Sequence, residues 1–139
     1  MKEIEYKLDD ETARAELDRL ADTMDIDLTI DESLEEKERK ESQKNIDNVV
    51  KAIRRGSLIV NENGEAVFTP TRSQNVAPIT FREPTGSTFL AADKYGEKQK
   101  MHKLYAMIAE MTGVENSTFS RLKKPDLLIV IAVGSIFLG

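Results

Sequence analysis

The first third of the chain combines two hydrophobic periods. Between Ile4 and Leu8, and again between Ile26 and Ile30, apolar side chains alternate with charged or polar ones, which is the pattern of a half-buried strand. Between these segments the apolar positions recur at helical spacing, so a helix that packs on one side begins near Asp10, whose carboxylate can cap it. The apolar positions of this helix are Ala13, Leu17, Leu20, Ala21 and Met24. The N-terminal third is therefore predicted to form a strand, a helix and a second strand.

A second helix is predicted to start near Ser33 and to run to about Arg55. Ser33 and Glu36 have the spacing of a capping box, and Gly56 can adopt the left-handed conformation that ends a helix. The first half of this helix carries almost only charged and polar side chains, so we expect it to be surrounded by water. Its second half turns apolar side chains toward a core, and these are Ile46, Val49, Val50 and Ile53.

A β-hairpin is predicted at about residues 57–69. Asn63-Gly64 has the composition of a two-residue type I′ turn, and apolar-rich arms lie on both sides of it. A turn of that length implies a register in which one face carries Val60 opposite Val67 and Leu58 opposite Thr69, and the other face carries Ile59 and Phe68.

The remainder of the chain is predicted to be mainly helical. Pro78–Arg82 is a short extended segment, and a short helix follows it. Pro125 is suited to open the last helix, whose apolar run from Leu127 to Leu138 is interrupted by Ser135. Between the short helix and the last helix, the pattern predicts an amphipathic helix that ends at Gly113. Its apolar stripe consists of Met101, Leu104, Tyr105, Ile108 and Met111.

These elements predict an α+β fold that is predominantly helical, with short N-terminal strands, a central hairpin and a C-terminal helical pair. A chain of 139 residues suffices for one compact domain, or for a small domain with an arm. We therefore divide it into an acidic strand and helix unit or arm at residues 1–45, and a domain with the hairpin followed by helices at residues 46–139.

Charge is distributed unevenly along the chain. Residues 1–47 carry 17 acidic and 8 basic side chains, whereas residues 48–139 carry 8 and 12. We expect the acidic segment of residues 1–47 to be largely exposed to solvent. The excess of four positive charges in the rest is too dilute for a nucleic-acid footprint, so we expect no nucleic acid as a partner.

Few groups in the chain are suited to catalysis or metal binding. There is no cysteine, and His102 is the only histidine, which excludes thiolate chemistry and multi-histidine metal sites. The aspartates between Asp25 and Asp31 have the offsets of an EF-hand calcium loop, but Ile30 occupies the position where that loop requires glycine. Strand alternation explains the same aspartates as an exposed face. We expect no catalytic residue, no metal and no cofactor.

The apolar run near the C-terminus is shorter than a membrane span, which needs roughly 18 to 20 apolar residues. Charged residues interrupt the first ten positions, so they do not form a secretory signal. We therefore expect the last helix to be buried or covered by a partner, and we expect no membrane association.

Several segments resemble the short tail assembly chaperones of long-tailed bacteriophages and of Mu-like and related prophages. The similarity covers about residues 50–139, and the first 45 residues add little to it. Its patterns describe shape rather than a catalytic signature. The segments are the hairpin region from Ala52 to Pro70, the turn from Ile79 to Gly86, the helix end from Tyr105 to Val114, the segment from Phe119 to Asp126, and Ile136–Gly139.

The resemblance implies a non-enzymatic protein in the cytoplasm of the bacterial host. It would keep the tape measure protein soluble, help tail tube subunits polymerise around it, and be absent from the mature virion. Self-association through the last helix is a further alternative, because that helix is apolar on all sides. The apolar helix faces provide a candidate client groove consisting of Met101, Leu104, Tyr105, Ile108, Met111, Leu128, Ile131 and Phe137.

Two other functions are compatible with the same sequence. A structural tail or baseplate component would use the same apolar surfaces but stay in the virion. A small DNA-binding regulator is disfavoured by the formal net charge of −5. An enzyme is the weakest candidate, because no pair of side chains matches a known reaction chemistry.

Overall fold

The computed structural model describes residues 6–138, and within that range the chain forms six helices and three short strands. Helix accounts for 56% of the structure, which confirms the prediction of a predominantly helical α+β fold with a hairpin and C-terminal helices. The strands form one antiparallel sheet in the order β1-β2-β3. In chain order the elements are α1 (Asp10–Met24), α2 (Glu36–Arg55), β1 (Leu58–Val60), β2 (Ala66–Phe68), β3 (Ile79–Phe81), α3 (Gly86–Leu90), α4 (Lys100–Thr112), α5 (Asn116–Arg121) and α6 (Lys124–Leu138).

Helix α1 forms where the helical period predicts it, and its buried residues are the five predicted apolar positions. The cap is Asp9 rather than Asp10. Its Oδ1 accepts a hydrogen bond of 2.7 Å from the backbone N–H of Thr12. Hydrogen bonding from Thr12 lowers the pKa of the Asp9 carboxyl, so the cap stays charged at lower pH than an ordinary aspartate would.

Helix α2 ends at Arg55 as predicted, but it begins at Glu36 rather than near Ser33, and the predicted capping box does not form. The Ser33 hydroxyl donates to Oδ1 of Asp31 at 2.7 Å, and the N-cap residue Glu35 makes no side-chain capping bond. Gly56 ends the helix with φ of 81°, as predicted. The first half of α2 is largely exposed, and its buried side chains lie in the second half, at Val49, Val50, Ala52 and Ile53.

The prediction of a strand at Ile26–Ile30 is wrong. The segment forms no strand, although its apolar side chains are half-buried and its polar side chains are exposed. Leu28 and Ile30 line a cleft together with Leu17 of α1 and Ile46 of α2. The segment crosses two helices, so every second side chain faces them and the others face solvent. This arrangement produces the alternation of apolar and polar residues without a partner strand.

The other predicted N-terminal strand begins at Ile4, outside the described residues. Tyr6 and Leu8 are described, and neither belongs to a strand. The backbone N–H groups of Lys7 and Leu8 donate to the carbonyl of Arg54 at 2.7 and 3.1 Å, and the Arg54 guanidinium lies 3.9 Å from the ring centroid of Tyr6. These contacts attach the start of the described chain to the end of α2.

The turn of the hairpin has three residues rather than two. The N–H of Asn61 donates to the carbonyl of Glu65 at 2.9 Å, and the N–H of Gly64 donates to the carbonyl of Asn61 at 3.0 Å. Gly64 has φ of 77°, whereas Asn63 does not have a positive φ. The arrangement is a type I turn followed by a left-handed glycine, in place of the predicted type I′ turn.

This extra turn residue shifts the strand register by one position from the predicted register. Leu58 pairs with Phe68, and Val60 pairs with Ala66, so all four side chains occupy the same buried face. Since side chains alternate between faces, the predicted register would have sent Phe68 to the opposite face from Leu58. The three-residue turn therefore allows Phe68 to be buried on the same face of the hairpin as Leu58.

One hydrophobic core joins side chains of α1, α2, α4, α5, α6 and the three strands. Helix α6 packs mainly along α2, and the rings of Phe81 and Phe137 stack with centroids 6.0 Å apart. The division predicted between residues 45 and 46 lies inside α2, and it stays a prediction.

Helices α4 and α6 approach each other closely at Gly134. A Cβ placed on this glycine would lie 2.5 Å from Cδ1 and 2.7 Å from Cγ1 of Ile108. Ile108 is fully buried, so its side chain has no free volume into which it can turn. The absence of a side chain at residue 134 is therefore a packing requirement.

We predict that Gly134→Ala lowers the free energy of unfolding by about 1–3 kcal/mol, because overpacking outweighs the gain of about 1 kcal/mol in helix propensity. Urea denaturation measures the change. Ile108→Ala removes both clashing atoms, so the double variant should be more stable than the sum of the single changes by more than about 0.5 kcal/mol.

Gly86→Ala is the control, because no heavy atom lies within 4 Å of a Cβ at that position. Equal effects of the two glycine substitutions, or strict additivity with Ile108→Ala, would contradict the packing argument.

Candidate functional site

Three of the eight predicted client-binding residues belong to the core. Ile108 and Met111 of α4 and Phe137 of α6 are buried, and Phe137 stacks on Phe81. In this conformation they are not available to a partner.

The other five predicted residues reach the surface to different degrees. Leu104, Tyr105 and Ile131 are half-buried, and Tyr105 stacks on Phe119 with ring centroids 5.9 Å apart. Met101 is 47% exposed and Leu128 is 42% exposed. The structure therefore divides the predicted set into a buried part and two surface parts, one on α4 and one on α6.

Helix α6 has a buried side and an outward side, although its sequence is apolar on both. Val130, Val133 and Phe137 face the core. On the opposite side, residues spaced three to four positions apart are partly or clearly exposed, as expected for one face of a helix. We call the apolar part of this face the α6 stripe, and it consists of the exposed Leu128 and the half-buried Leu127, Ile131 and Leu138. Leu127 and Leu138 stand at its edge and also pack against the core, and Ser135 lies between Ile131 and Leu138 on the same side.

A second apolar surface lies on α3 and at the start of α4. Phe89 is 51% exposed and Leu90 is 67% exposed, and Met101 belongs to the helix that packs against α3. The sequence prediction did not include Phe89 and Leu90. The available signal was two adjacent large apolar residues on a helix of only five residues, which is too short to bury both.

The start of α6 is held by the buried carboxylate of Asp126. Oδ1 accepts a hydrogen bond from the backbone N–H of Thr71 at 3.1 Å, and Oδ2 accepts from the N–H groups of Arg72 and Ser73 at 3.0 and 2.7 Å. The Ser73 hydroxyl also donates to Oδ2 at 2.7 Å and accepts from the N–H of Lys123 at 2.9 Å. Asp126 thus ties the connector after β2 to the first turn of α6.

A cleft of about 370 Å³ lies beside this connection, between the end of α2 and the start of α6. We call it the basic cleft. Its cationic lining comes from Lys51 and Arg55, one turn apart on α2, and from Arg72 on the connector. Leu128 and Ile129 line it as well, so the basic cleft borders the α6 stripe at Leu128.

The ionisable groups that the sequence singled out for other chemistry have local partners. His102 stacks on Tyr95 with ring centroids 5.5 Å apart. Asp27 accepts a bond from the N–H of Thr29, and Asp31 accepts from Ser33, and these bonds lower the pKa of both carboxyls. Among residues 6–138, no group of three or more His, Asp or Glu side chains is placed to hold a metal ion.

Comparison with known proteins gave no relatives: no family model, no curated protein and no solved structure matches the chain. Within the described part of the chain, every helix lacks either the length or the apolar character needed to cross a membrane.

We predict that Asp126→Asn destabilises the protein by about 2–4 kcal/mol, because the amide nitrogen would face hydrogen-bond donors that now meet a carboxylate oxygen. Urea denaturation measures this. Asp10→Asn is the control, since it removes only an exposed ion pair with Arg14 (2.8 Å) and should cost less than about 1 kcal/mol. Similar values for the two variants would show that the connector does not depend on Asp126.

Proposed function

We propose that the protein is a non-enzymatic assembly chaperone of bacteriophage tails that binds the tape measure protein and assists assembly of the tail tube. The observation that carries the proposal is the α6 stripe, an outward apolar face on a helix whose opposite face lies in the core. The resemblance of residues 50–139 to short tail assembly chaperones supplies the identity of the clients.

The α6 stripe suits reversible binding of an apolar helix. Covering the stripe would contribute about 25 cal/mol for each Å² of apolar surface removed from water, and the loss of translational and rotational freedom offsets much of that. A contact centred on a few partly exposed side chains gives a weak and short-lived complex. Such a complex protects a client until tail tube subunits replace the chaperone.

The surface of Phe89, Leu90 and Met101 offers a second contact area. It belongs to different helices from the α6 stripe, so a tape measure segment and a tail tube subunit could each occupy one surface. This arrangement supports an assembly role in the host cytoplasm, with release before the virion is complete.

We predict that the protein keeps the tape measure protein soluble and co-purifies with it when both are expressed together. Leu128→Glu should reduce the co-purified amount by about tenfold or more, because it places a charge on the most exposed residue of the α6 stripe. As an exposed substitution it should leave the free energy of unfolding within about 0.5 kcal/mol of the original value.

Ile59→Glu is the matched control, because Ile59 is 58% exposed on the sheet, away from the stripe. Loss of binding in both variants would argue against the α6 stripe as the client surface. Stoichiometric protein in purified virions, detected by mass spectrometry, would argue instead for a structural tail or baseplate component.

A further inference from the structure

The basic cleft carries three cations that have no carboxylate partner among residues 6–138. The ion pairs in this part of the chain are Arg14–Asp10, Arg19–Glu16 and Lys40–Glu36, all on α1 or α2 and all local. Lys51, Arg55 and Arg72 take part in none of them, and all three are exposed. Their charges are therefore available to a ligand.

Two more lysines stand at the same end of the molecule. Lys123 and Lys124 lie at the N-terminus of α6, next to Pro125, which lines the basic cleft. The positive end of a helix dipole disfavours cations, so helix stability does not explain these lysines. Arg55 of α2 and Pro125 of α6 line the same cleft, so the two lysines that precede Pro125 lie close to its cationic lining.

Asp126 is the acidic residue in the lining of the basic cleft, and it forms no ion pair with the three cations there. Its two oxygens accept hydrogen bonds from Thr71, Arg72 and Ser73, through three backbone N–H groups and one hydroxyl. Its one negative charge offsets only part of the three positive charges of the lining. The net charge of the cleft lining therefore favours an anion.

The apolar wall of the cleft decides which kind of anion fits. Leu128 and Ile129 line one side, and Leu128 continues into the α6 stripe. A phosphate backbone would leave these side chains uncovered, whereas a protein helix can cover them and present a carboxylate at its edge. Arginine binds carboxylates through two parallel hydrogen bonds, which gives such a contact direction as well as charge attraction.

We infer that the basic cleft binds acidic side chains of an amphipathic helix whose apolar face lies on the α6 stripe. The inference rests on the proposed function for the choice of the stripe as the client surface, and it adds the chemistry of the client: apolar residues flanked by Glu or Asp. A partner without such carboxylates would bind the stripe more weakly.

Three fluorescein-labelled synthetic helical peptides test this inference. They share one leucine-rich apolar face and carry Glu, Gln or Lys at the flanking positions. Fluorescence anisotropy with the full chain at low ionic strength should show the Glu peptide bound about tenfold or more tightly than the Gln peptide, with a preference that shrinks as salt is added. Equal affinities for the Glu and Gln peptides would overturn the inference.

Lys51→Gln/Arg55→Gln should markedly reduce the preference for the Glu peptide, since it removes two of the three cations that line the basic cleft. The control is Lys37→Gln/Lys44→Gln, which makes the same charge change on the exposed first half of the same helix. Circular dichroism checks the fold. Arg72→Gln, outside any helix, is a second variant that should reduce the preference even if the α2 variant does not fold.

The same variants distinguish this inference from the proposed function. If the α2 variant keeps the tape measure protein soluble as well as the unmodified chain does, the inference fails and the chaperone function stands. If the tape measure protein is not bound but the Glu peptide is bound through Lys51 and Arg55, the function fails and the inference stands. Self-association that requires Lys51 and Arg55, without peptide binding, would overturn the inference in favour of a second copy as the occupant.

Discussion

Burial of the Asp126 carboxylate constrains the C-terminal half of the molecule. An ionised group away from water is tolerated only when hydrogen bonds replace its hydration, and here four donors from the connector residues Thr71, Arg72 and Ser73 do so. Because the connector follows β2 directly, the bond network sets where α6 starts relative to the sheet. The rotation of α6 then decides which of its apolar residues enter the core.

That rotation separates two roles within one uniformly apolar helix. Val130, Val133 and Phe137 complete the core against α2 and the sheet, while Gly134 lets Ile108 of α4 pack against the helix. The opposite side leaves the α6 stripe at the surface. The connector that binds Asp126 also carries Arg72, whose side chain lines the basic cleft together with Leu128. The same connector therefore serves both the hydrogen bonds of Asp126 and the basic cleft.

The surface that results combines apolar area with positive charge, while the formal charge of the whole chain is negative. Such a combination favours a partner helix with acidic flanks and gives the contact a dependence on ionic strength. The α6 stripe is the structural observation on which the proposed chaperone function rests.

The sequence by itself determined the helices and the helical α+β class. Helix periodicity and end signals are local, so α1 with its five buried positions and the glycine ends of α2 and α4 were predictable. Features that depend on contacts between residues distant in the sequence were decided by tertiary packing. The alternation at Ile26–Ile30 reflects packing over helices, and the hairpin register follows the burial of Phe68. The sequence of an all-apolar helix does not show which of its faces points outward. Only the packing of α6 against α2 and the sheet left Leu128 exposed and buried Phe137. Likewise, only the fold brought Lys51, Arg55 and Arg72 together.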